Sequence, residues 1–196
     1  MLANEKSFKI LLKKNFLYTF IILIFSFENL AVADEKQNII DKLKNVKSLK
    51  FSFKQKTNEN IETGVCYLVF PRKLKCDYED NKQKELIINN NRLAITQKRY
   101  NKTFYYSVKK SPFIKILDKN QLINLIEGSI LNYKNNQIHL TSINHDKKKI
   151  TILFKKKNFD LIGWKINDQF ENKISFLIKI LSENQEINLK IFEIPN

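Results

Sequence analysis

The chain has 196 residues, and 35 Lys and Arg against 20 Asp and Glu give it a net charge of +15. This length suits one domain with a sizeable apolar core. Only three Gly are present, which excludes a glycine-rich phosphate-binding loop. The sequence leaves two explanations of the charge open. One is an anionic partner such as nucleic acid, a phospholipid surface or an acidic protein; the other is a coding bias toward Lys, Asn and Ile.

The N-terminal segment has the pattern of an export signal. Lysines between Lys6 and Lys14 precede an apolar run, Phe16 to Phe27, and residues 31–33, Ala-Val-Ala, form a small-x-small cleavage site. The apolar run is shorter than the roughly 20 residues that a membrane-spanning helix needs. We therefore predict a signal peptide, residues 1–33, cleaved at its end, and a single exported domain, residues 34–196. An uncleaved N-terminal anchor is the alternative.

The mature chain is predicted to begin with a helix and a strand. One apolar stripe at helical spacing occurs within residues 34–46. Its members are Ile39, Ile40, Leu43 and Val46. The period then changes to two, because Leu49, Phe51 and Phe53 alternate with polar residues. This alternation indicates a strand with one apolar face and one solvated face.

Residues 64–80 are predicted to form a β-hairpin, because two short apolar runs flank Pro71 and Arg72. Pairing residue 66 with 76 and residue 68 with 74 places six apolar side chains on one face. They are Cys66, Leu68, Phe70, Leu74, Cys76 and Tyr78. This face is either part of a solid core or one wall of a cavity.

Cys66 and Cys76 are the two cysteines of the chain, and an exported protein enters an oxidising compartment. A non-hydrogen-bonded cross-strand pair places two Cα atoms about 4.5 Å apart, which is within reach of a disulfide. The register is inferred, and a shift of one residue would separate the sulfurs. A disulfide and two free thiols both stay open, and mass spectrometry of the non-reduced protein distinguishes them.

The remainder of the chain predicts strands interrupted by two short helices. Strands are expected at residues 85–88 and, as a pair, within 92–108, with an Asn-rich turn between them. Ser111 as N-cap and Pro112 at the first helical position favour one short helix, and a second ends near Gly128. Short links between strands indicate an antiparallel meander. The last five strands are predicted at Gln137 to Ile143, Lys149 to Lys155, Asp160 to Asp168, Lys173 to Ile180 and Glu186 to Phe192.

No catalytic or metal-binding pattern stands out. His139 and His145 have no nearby Cys to complete a metal site, and no serine lies in a nucleophile-elbow pattern. Aromatic residues that alternate with Lys would suit single-stranded nucleic acid, but an exported protein rarely meets that partner. We expect a binding protein without enzymatic activity, cofactor or metal, and without nucleic acid as a partner.

Several short motifs, taken in order, resemble the family of outer-membrane lipoprotein carrier proteins, the LolA family, over essentially the whole mature chain. The motifs are a first strand ending in Phe-x-Gln, the hairpin, a Ser-Pro-Phe helix start and the closing strands. The matching residues are Leu49, Phe51, Phe53, Gln55, Gly64, Pro71, Leu74, Tyr78, Ser111, Pro112, Phe113, Leu117, Gly163, Trp164, Asp168, Ile174, Phe176, Phe192 and Pro195.

The resemblance implies a mainly β fold, an incomplete antiparallel β-barrel whose curved sheet wraps around short helices that act as a lid. It implies a monomeric periplasmic chaperone that accepts lipoproteins released from the inner membrane by an ABC transporter and delivers them to the outer membrane, with or without a receptor there. Each exposed methylene of an acyl chain costs about 0.8 kcal/mol, so a carrier needs an apolar interior. The alternative is a periplasmic module of similar fold that senses lipoproteins or envelope polyanions.

Strand alternation and the lid motif together select the residues expected to line an acyl-binding cavity. They are Leu49, Phe51, Phe53, Leu68, Phe70, Leu74, Tyr78, Phe113, Ile116 and Leu117. Ordinary core packing is the alternative for each, because an apolar stripe is more often core than pocket. The family's Arg before the hairpin Pro, which helps to hold the lid closed, is Phe70 here, and Arg72 lies beyond the proline. We therefore expect the lid to close by hydrophobic contact.

Overall fold

The structure of the protein, a computed structural model, describes residues 34–109, 111–143, 149–167 and 172–195. The chain divides into two compact units, residues 1–38 and 39–196. Of the first unit the structure describes residues 34–38, which are helical, and the predicted signal peptide lies outside the described residues. No helix within the described ranges is long and apolar enough to cross a membrane.

The described residues form eleven strands and two α-helices. Helix α1 comprises residues 34–45, and helix α2 is Lys119–Glu127. Short 3-10 helices occur at Lys98–Tyr100, Pro112–Lys115 and Leu189–Phe192. The strands are β1 (Ser48–Thr57), β2 (Asn60–Val69), β3 (Lys73–Tyr78), β4 (Lys84–Asn89), β5 (Arg92–Gln97), β6 (Lys102–Ser107), β7 (Ile130–Lys134), β8 (Gln137–Ile143), β9 (Lys149–Lys155), β10 (Leu161–Asn167) and β11 (Lys173–Glu183).

All eleven described strands belong to one curved sheet in the order β6-β5-β4-β3-β2-β1-β11-β10-β9-β8-β7. The first strand therefore pairs with the last, and β6 and β7 stand at the two ends of an unclosed sheet. Every pairing is antiparallel. The predicted fold class, a mainly β protein with an antiparallel meander and short helices, is confirmed.

The two faces of the sheet differ in polarity, and β1 shows the difference most clearly. Leu49, Phe51 and Phe53 are buried on one face, whereas Lys54 and Lys56 are exposed on the other. We call the first face inner and the second outer. Because paired residues on neighbouring strands lie on the same face, the strand register assigns residues of the other strands to one face or the other. The stripe predicted for α1 is confirmed, because its four residues are buried in the same core as the inner face. These are Ile39, Ile40, Leu43 and Val46.

The predicted hairpin register is confirmed: Cys66 pairs with Cys76 and Leu68 with Leu74. The two sulfurs are joined as a disulfide, with a Cα to Cα distance of 4.1 Å. Both cysteines are fully buried on the inner face.

Replacing both cysteines with alanine should lower the free energy of unfolding by about 2 to 3 kcal/mol, because an 11-residue loop is no longer closed in the unfolded chain. The urea midpoint of the oxidised wild type, compared with that of the double variant, checks this value. Reduction of the wild type should produce a similar loss, whereas the double variant should not respond to a reductant. Two free thiols in non-reduced wild-type protein would contradict the disulfide.

The strand predicted at Glu186 to Phe192 is wrong. This segment instead contacts β3 and β4 and ends in the 3-10 helix Leu189–Phe192, with Phe192 fully buried. The side chain of Asn188 accepts a hydrogen bond from the backbone N of Lys190 (3.0 Å), and such local bonds compete with strand pairing. The amide of Asn89 also donates to the Phe192 carbonyl (3.2 Å), which fixes the segment across the sheet.

Strand β7 was not predicted, because the segment Ile130–Lys134 lies at the edge of the sheet and is mostly exposed. Alternation marks a strand that buries one face, and β7 is mostly exposed on both faces, so its sequence shows little alternation. The sequence feature that indicates this strand is the Asn-Asn turn between β7 and β8. Asn135 and Asn136 both adopt positive φ, 50° and 59°, the geometry of a two-residue hairpin turn that favours Asn.

Candidate functional site

The ten residues predicted to line an acyl cavity all lie in or against one core between the sheet and the helices. Seven of them are buried: Leu49, Phe51, Phe53, Leu68, Leu74, Ile116 and Leu117. The remaining three, Phe70, Tyr78 and Phe113, are partly buried and pack against the same core. The strand register places Leu49, Leu68 and Leu74 side by side across β1, β2 and β3. The structure thus brings the predicted set together beneath a cover of helices.

A row of five aromatic rings crosses the inner face and joins its two halves. Phe53 lies edge-on to Tyr78 (4.9 Å between ring centroids) and stacks on Phe176 (4.8 Å). Trp164 stacks on the other side of Phe176 (4.6 Å) and meets Phe113 of the helical segment (5.5 Å). Such pairs each contribute about 0.5 to 1.5 kcal/mol beyond their buried area.

Trp164 and Phe176 are two site residues that are not among the ten predicted ones, although both alternate onto the apolar face of their strands. The missing information was the pairing of β1 with β11, which places Phe176 opposite Gln55 and beside the Phe53 ring. A contact between the first and last strands of a sheet has no local signal in the sequence.

The helical cover over the inner face is formed by the segment 112–117 and by α2. Ser111 caps the first turn by accepting a hydrogen bond from the backbone N of Phe113 (3.3 Å), as predicted. Asp118 caps α2 in the same way, accepting from the backbone N of Gln121 (3.2 Å). Leu122 and Ile126 are the buried residues of α2, so one face of this short helix is held by the core.

Polar contacts attach α1 to its neighbours. The ammonium of Lys42 pairs with the carboxylate of Asp160, between β9 and β10, and Lys119 of α2 donates to the Lys44 carbonyl (3.0 Å). Burial alone would raise the pKa of Asp160. The hydrogen bonds from Lys42 and Asn158 and the charges of Lys42 and Lys155 outweigh burial and hold this pKa below its usual value.

The cover is not closed by hydrophobic contact alone, and this corrects the expectation from the sequence. Arg72, in the β2–β3 turn with a φ of 55°, reaches across to the α2 cap. Its Nε and a terminal guanidinium nitrogen both lie 3.0 Å from Oδ2 of Asp118, and its backbone N donates to the Leu117 carbonyl (2.7 Å). The turn projects the Arg72 side chain toward the helices from beyond the proline, which the linear sequence does not reveal.

Replacing Arg72 with alanine should lower the free energy of unfolding by about 1 kcal/mol, because a charge-assisted pair that is largely shielded from water is lost. Hydrogen exchange should accelerate mainly in residues 112–127, since these amides depend on the cover staying closed. Replacing Arg92, which is exposed on β5, with alanine is the matched control and should change neither measurement. Equal exchange of residues 112–127 in wild type and the Arg72 variant would show that the pair does not hold the cover.

The apolar inner face continues from the covered core onto β5, where it is partly buried, and onto β6, where it is exposed. Leu93 faces Tyr106, and Ile95 faces Phe104, in register with Ile88 and Leu86 of β4. Tyr106 is 54% exposed and Phe104 is 43% exposed. The pattern of residues 92–108 predicts a pair of strands but does not reveal which side chains face the core, since that depends on the pairing of β5 with β4. Clustered apolar exposure of this kind marks an interaction surface.

A polar group borders the aromatic row at the Tyr78 end. The Tyr78 hydroxyl donates to Oε1 of Gln55 (3.4 Å), and the ammonium of Lys84 lies 3.7 Å from the Tyr78 ring centroid and pairs with Glu62. Burial raises the pKa of Tyr78 well above its usual value, and the charges of Glu62 and Asp80 raise it further. The hydroxyl therefore stays protonated and acts as a hydrogen-bond donor.

Comparison with known proteins identifies the family. A family model described as the outer membrane lipoprotein carrier protein LolA matches residues 44–195. Among solved structures, an uncharacterized conserved protein from Thermus thermophilus has a TM-score of 0.50 at 7% identity and covers 83% of this chain and 94% of its own.

Two other solved structures are more distant. The lipoprotein LppX of Mycobacterium tuberculosis has a TM-score of 0.45 at 10% identity, over 81% of this chain and 97% of its own. A LolA superfamily protein from Nitrosomonas europaea has a TM-score of 0.39 at 8% identity, over 80% and 96%. A search of the curated proteins finds no match. Among the structures, the Thermus protein supports the fold alone, but the family model spans most of the sequence. The chain therefore belongs to the LolA family of outer membrane lipoprotein carrier proteins.

Proposed function

We propose that this protein is a periplasmic chaperone that binds the acyl chains of lipoproteins released from the inner membrane and carries them to the outer membrane. One observation carries the proposal. The inner face is apolar without interruption from the core beneath the helices to the exposed strand β6, as shown by the row Leu74, Ile88, Leu93 and Tyr106. A ligand with long apolar chains can begin on the exposed part and extend beneath the cover.

Loading is reversible in this proposal because an acyl chain takes the place of apolar cover residues against the same core. The cover residues Leu117, Leu122 and Ile126 are buried against the core, and an acyl chain that displaced them would restore most of the buried apolar area. Each methylene removed from water contributes about 0.8 kcal/mol, whereas opening costs the helix packing and the Arg72–Asp118 pair. We infer that these opposing contributions let the carrier take up an insoluble chain and release it again.

The proposed route begins with export through the signal peptide, residues 1–33. An inner-membrane ABC transporter would supply the lipoprotein, and an outer-membrane receptor or the membrane itself would accept it. The apolar interior requires no catalytic group, cofactor or metal ion for this task, and we propose that the carrier acts as a monomer.

Purification of the exported protein tests the proposal directly. We expect lipoproteins or their acylated N-terminal peptides to co-purify and to be identified by mass spectrometry. The Leu74→Glu variant, prepared in parallel, should retain far less of this material. If equal amounts of acylated peptide are recovered with both proteins, the inner face is not the binding site.

A direct binding measurement uses Trp164, the one tryptophan of the chain. Because its indole is stacked on Phe176 and is 4% exposed, an acyl chain that separates these rings should change its fluorescence. The probe is a diacylated lipopeptide, and the same peptide without acyl chains is the control. A fluorescence change that is identical for both peptides, or absent for both, would argue against acyl binding.

A further inference from the structure

The outer face of the sheet carries a group of exposed lysines that the proposed carrier function does not use. We call it the lysine patch, and it lies on β1, β10 and β11. Its members are Lys54, Lys56, Lys165, Lys173 and Lys179. Each of these side chains is exposed.

The strand register places these lysines close together. Lys56 faces Ser175, and Ser175 faces Lys165, so Lys56 and Lys165 are separated by one strand, or about 10 Å. Lys54 lies two residues before Lys56, and Lys173 lies two residues before Ser175 on the same face. Positive charges at this spacing repel one another in water, and an anionic surface would relieve the repulsion.

Another part of the same outer face shows the contrast. Lys75 of β3 is 3.1 Å from Glu85 of β4, and Lys98, in the 3-10 helix Lys98–Tyr100, is 2.7 Å from the same carboxylate. Burial would lower the pKa of Lys75, but hydrogen bonds to Asp77 and Glu85 outweigh it and raise this pKa. The positive charges of these two lysines are therefore balanced by carboxylates of the same fold. In the lysine patch the described residues provide one ion pair, between Lys56 and Glu59 (3.3 Å), and Glu59 is itself almost fully exposed.

Two exposed leucines lie among these lysines. Leu177 faces Lys54 across the β1–β11 pair and is 41% exposed, and Leu181, two residues beyond Lys179, is 49% exposed. At one end of the patch an open groove of about 540 Å³ is lined by three patch lysines together with Lys149, Thr151 and Ser175, and by one carboxylate, that of Glu59, which pairs with Lys56. Ammonium and hydroxyl groups of this kind are donors suited to a phosphate.

We propose that the lysine patch docks the protein on the surface of a bilayer that contains anionic phospholipids. The ammonium groups contact lipid phosphates, with one headgroup in the groove, and Leu177 and Leu181 enter the headgroup region. The docking surface is separate from the inner face, so the protein can approach a membrane whether or not it carries an acyl chain.

The composition of the patch favours a bilayer over an acidic protein or nucleic acid. All five cations are lysines, which are flexible, strongly hydrated point charges, whereas directed recognition of carboxylates or a nucleic acid backbone favours the rigid fork of arginine. Exposed leucines between the charges add nothing to binding of a phosphodiester backbone. At a membrane interface, apolar and cationic groups act together.

Vesicle co-sedimentation tests the proposal. The exported protein is mixed with vesicles of phosphatidylcholine alone or of phosphatidylcholine with about 30% phosphatidylglycerol. We expect binding to the second kind only, and weaker binding as NaCl rises from about 0.1 to about 0.5 M. A lysine near an anionic surface raises affinity about fivefold, so the triple variant K165E/K173E/K179E, which reverses three charges, should bind at least on the order of 100-fold more weakly.

The matched control is the triple variant K82E/K102E/K109E, which has the same net charge but changes exposed lysines away from the patch. It should lose less than about fivefold. Equal losses in the two triple variants would show a net-charge effect and overturn the proposal, as would equal binding of the patch variant and wild type. Polyglutamate or double-stranded DNA that competes with the vesicles at equal charge concentration would assign the patch to an acidic protein or a nucleic acid and would also overturn it.

Discussion

Replacing Gly64 with alanine is expected to destabilise the protein by about 3 kcal/mol or more. A methyl group at this position would lie 2.1 Å from the backbone oxygen of Asp77 and 2.8 Å from the Phe53 ring. Gly64 sits on β2 between Phe53 of β1 and Tyr78 of β3, and the two rings meet edge to face over it. The added carbon must therefore displace either the strand backbone or the aromatic row, and neither can move cheaply.

The measurement is the urea midpoint of unfolding, with the slope of the transition as a check that compactness is unchanged. Gly128→Ala is the matched control, because a methyl group there meets its nearest atom, the Asn124 carbonyl oxygen, at an ordinary 3.5 Å. With a φ of −80° at Gly128, alanine should be neutral or slightly stabilising. If Gly64→Ala lowers the free energy of unfolding no more than Gly128→Ala does, the backbone and the Phe53 ring are not packed against Gly64 as closely as described.

Local sequence signals predicted most of the fold because they act over a few residues. Alternation located the two strands that carry Cys66 and Cys76. The short turn between these strands then determined which residues pair across them. Ser111 and Pro112 located a helix start for the same reason, since a cap is a contact between near neighbours. The family resemblance then predicted the unclosed sheet and its helical cover, which strand patterns alone would not distinguish from a sandwich.

The signals that failed belong to contacts between distant segments. Alternation in residues 186–192 resembles a strand, yet Phe192 is buried by crossing β3 and β4 rather than by extending the sheet. The Arg72–Asp118 pair joins residues 46 positions apart, and it depends on how one turn projects a side chain. Neither contact changes the local periodicity, so neither can be inferred from it. The same applies to Trp164 and Phe176, whose role in the aromatic row follows from β1 meeting β11.

The structure also sharpens the question that the sequence left open, whether the inner face is core or cavity. Leu74 is 3% exposed, so in this closed state it is packed like any core residue. What distinguishes the inner face is its cover, the segment 112–117 and α2, which the Arg72–Asp118 pair attaches to the β2–β3 turn. The backbone hydrogen bonds that pair the eleven described strands do not involve that cover, so we expect the sheet to persist if the cover lifts.

Leu74→Glu is expected to lower the affinity for a diacylated lipopeptide by at least about 100-fold while the sheet stays folded. In the loaded state the new carboxylate would face methylene groups without a partner, and an unpaired buried charge costs several kcal/mol. In the empty protein the carboxylate can reach water when the cover lifts, so we expect a loss of stability but not complete unfolding. Trp164 fluorescence measures the affinity, and far-UV circular dichroism measures the sheet.

Ile87→Glu is the matched control, because Ile87 is also buried, at 5% exposure, but alternates onto the outer face of β4. It should lose stability as well, yet its folded fraction should bind the lipopeptide with wild-type affinity, since the outer face takes no acyl chain. If the Leu74→Glu variant is unfolded even without denaturant, Leu74 is an ordinary core residue. A folded Leu74→Glu protein that binds as tightly as wild type would place the acyl site elsewhere, because no acyl chain tolerates an unpaired carboxylate in its binding wall.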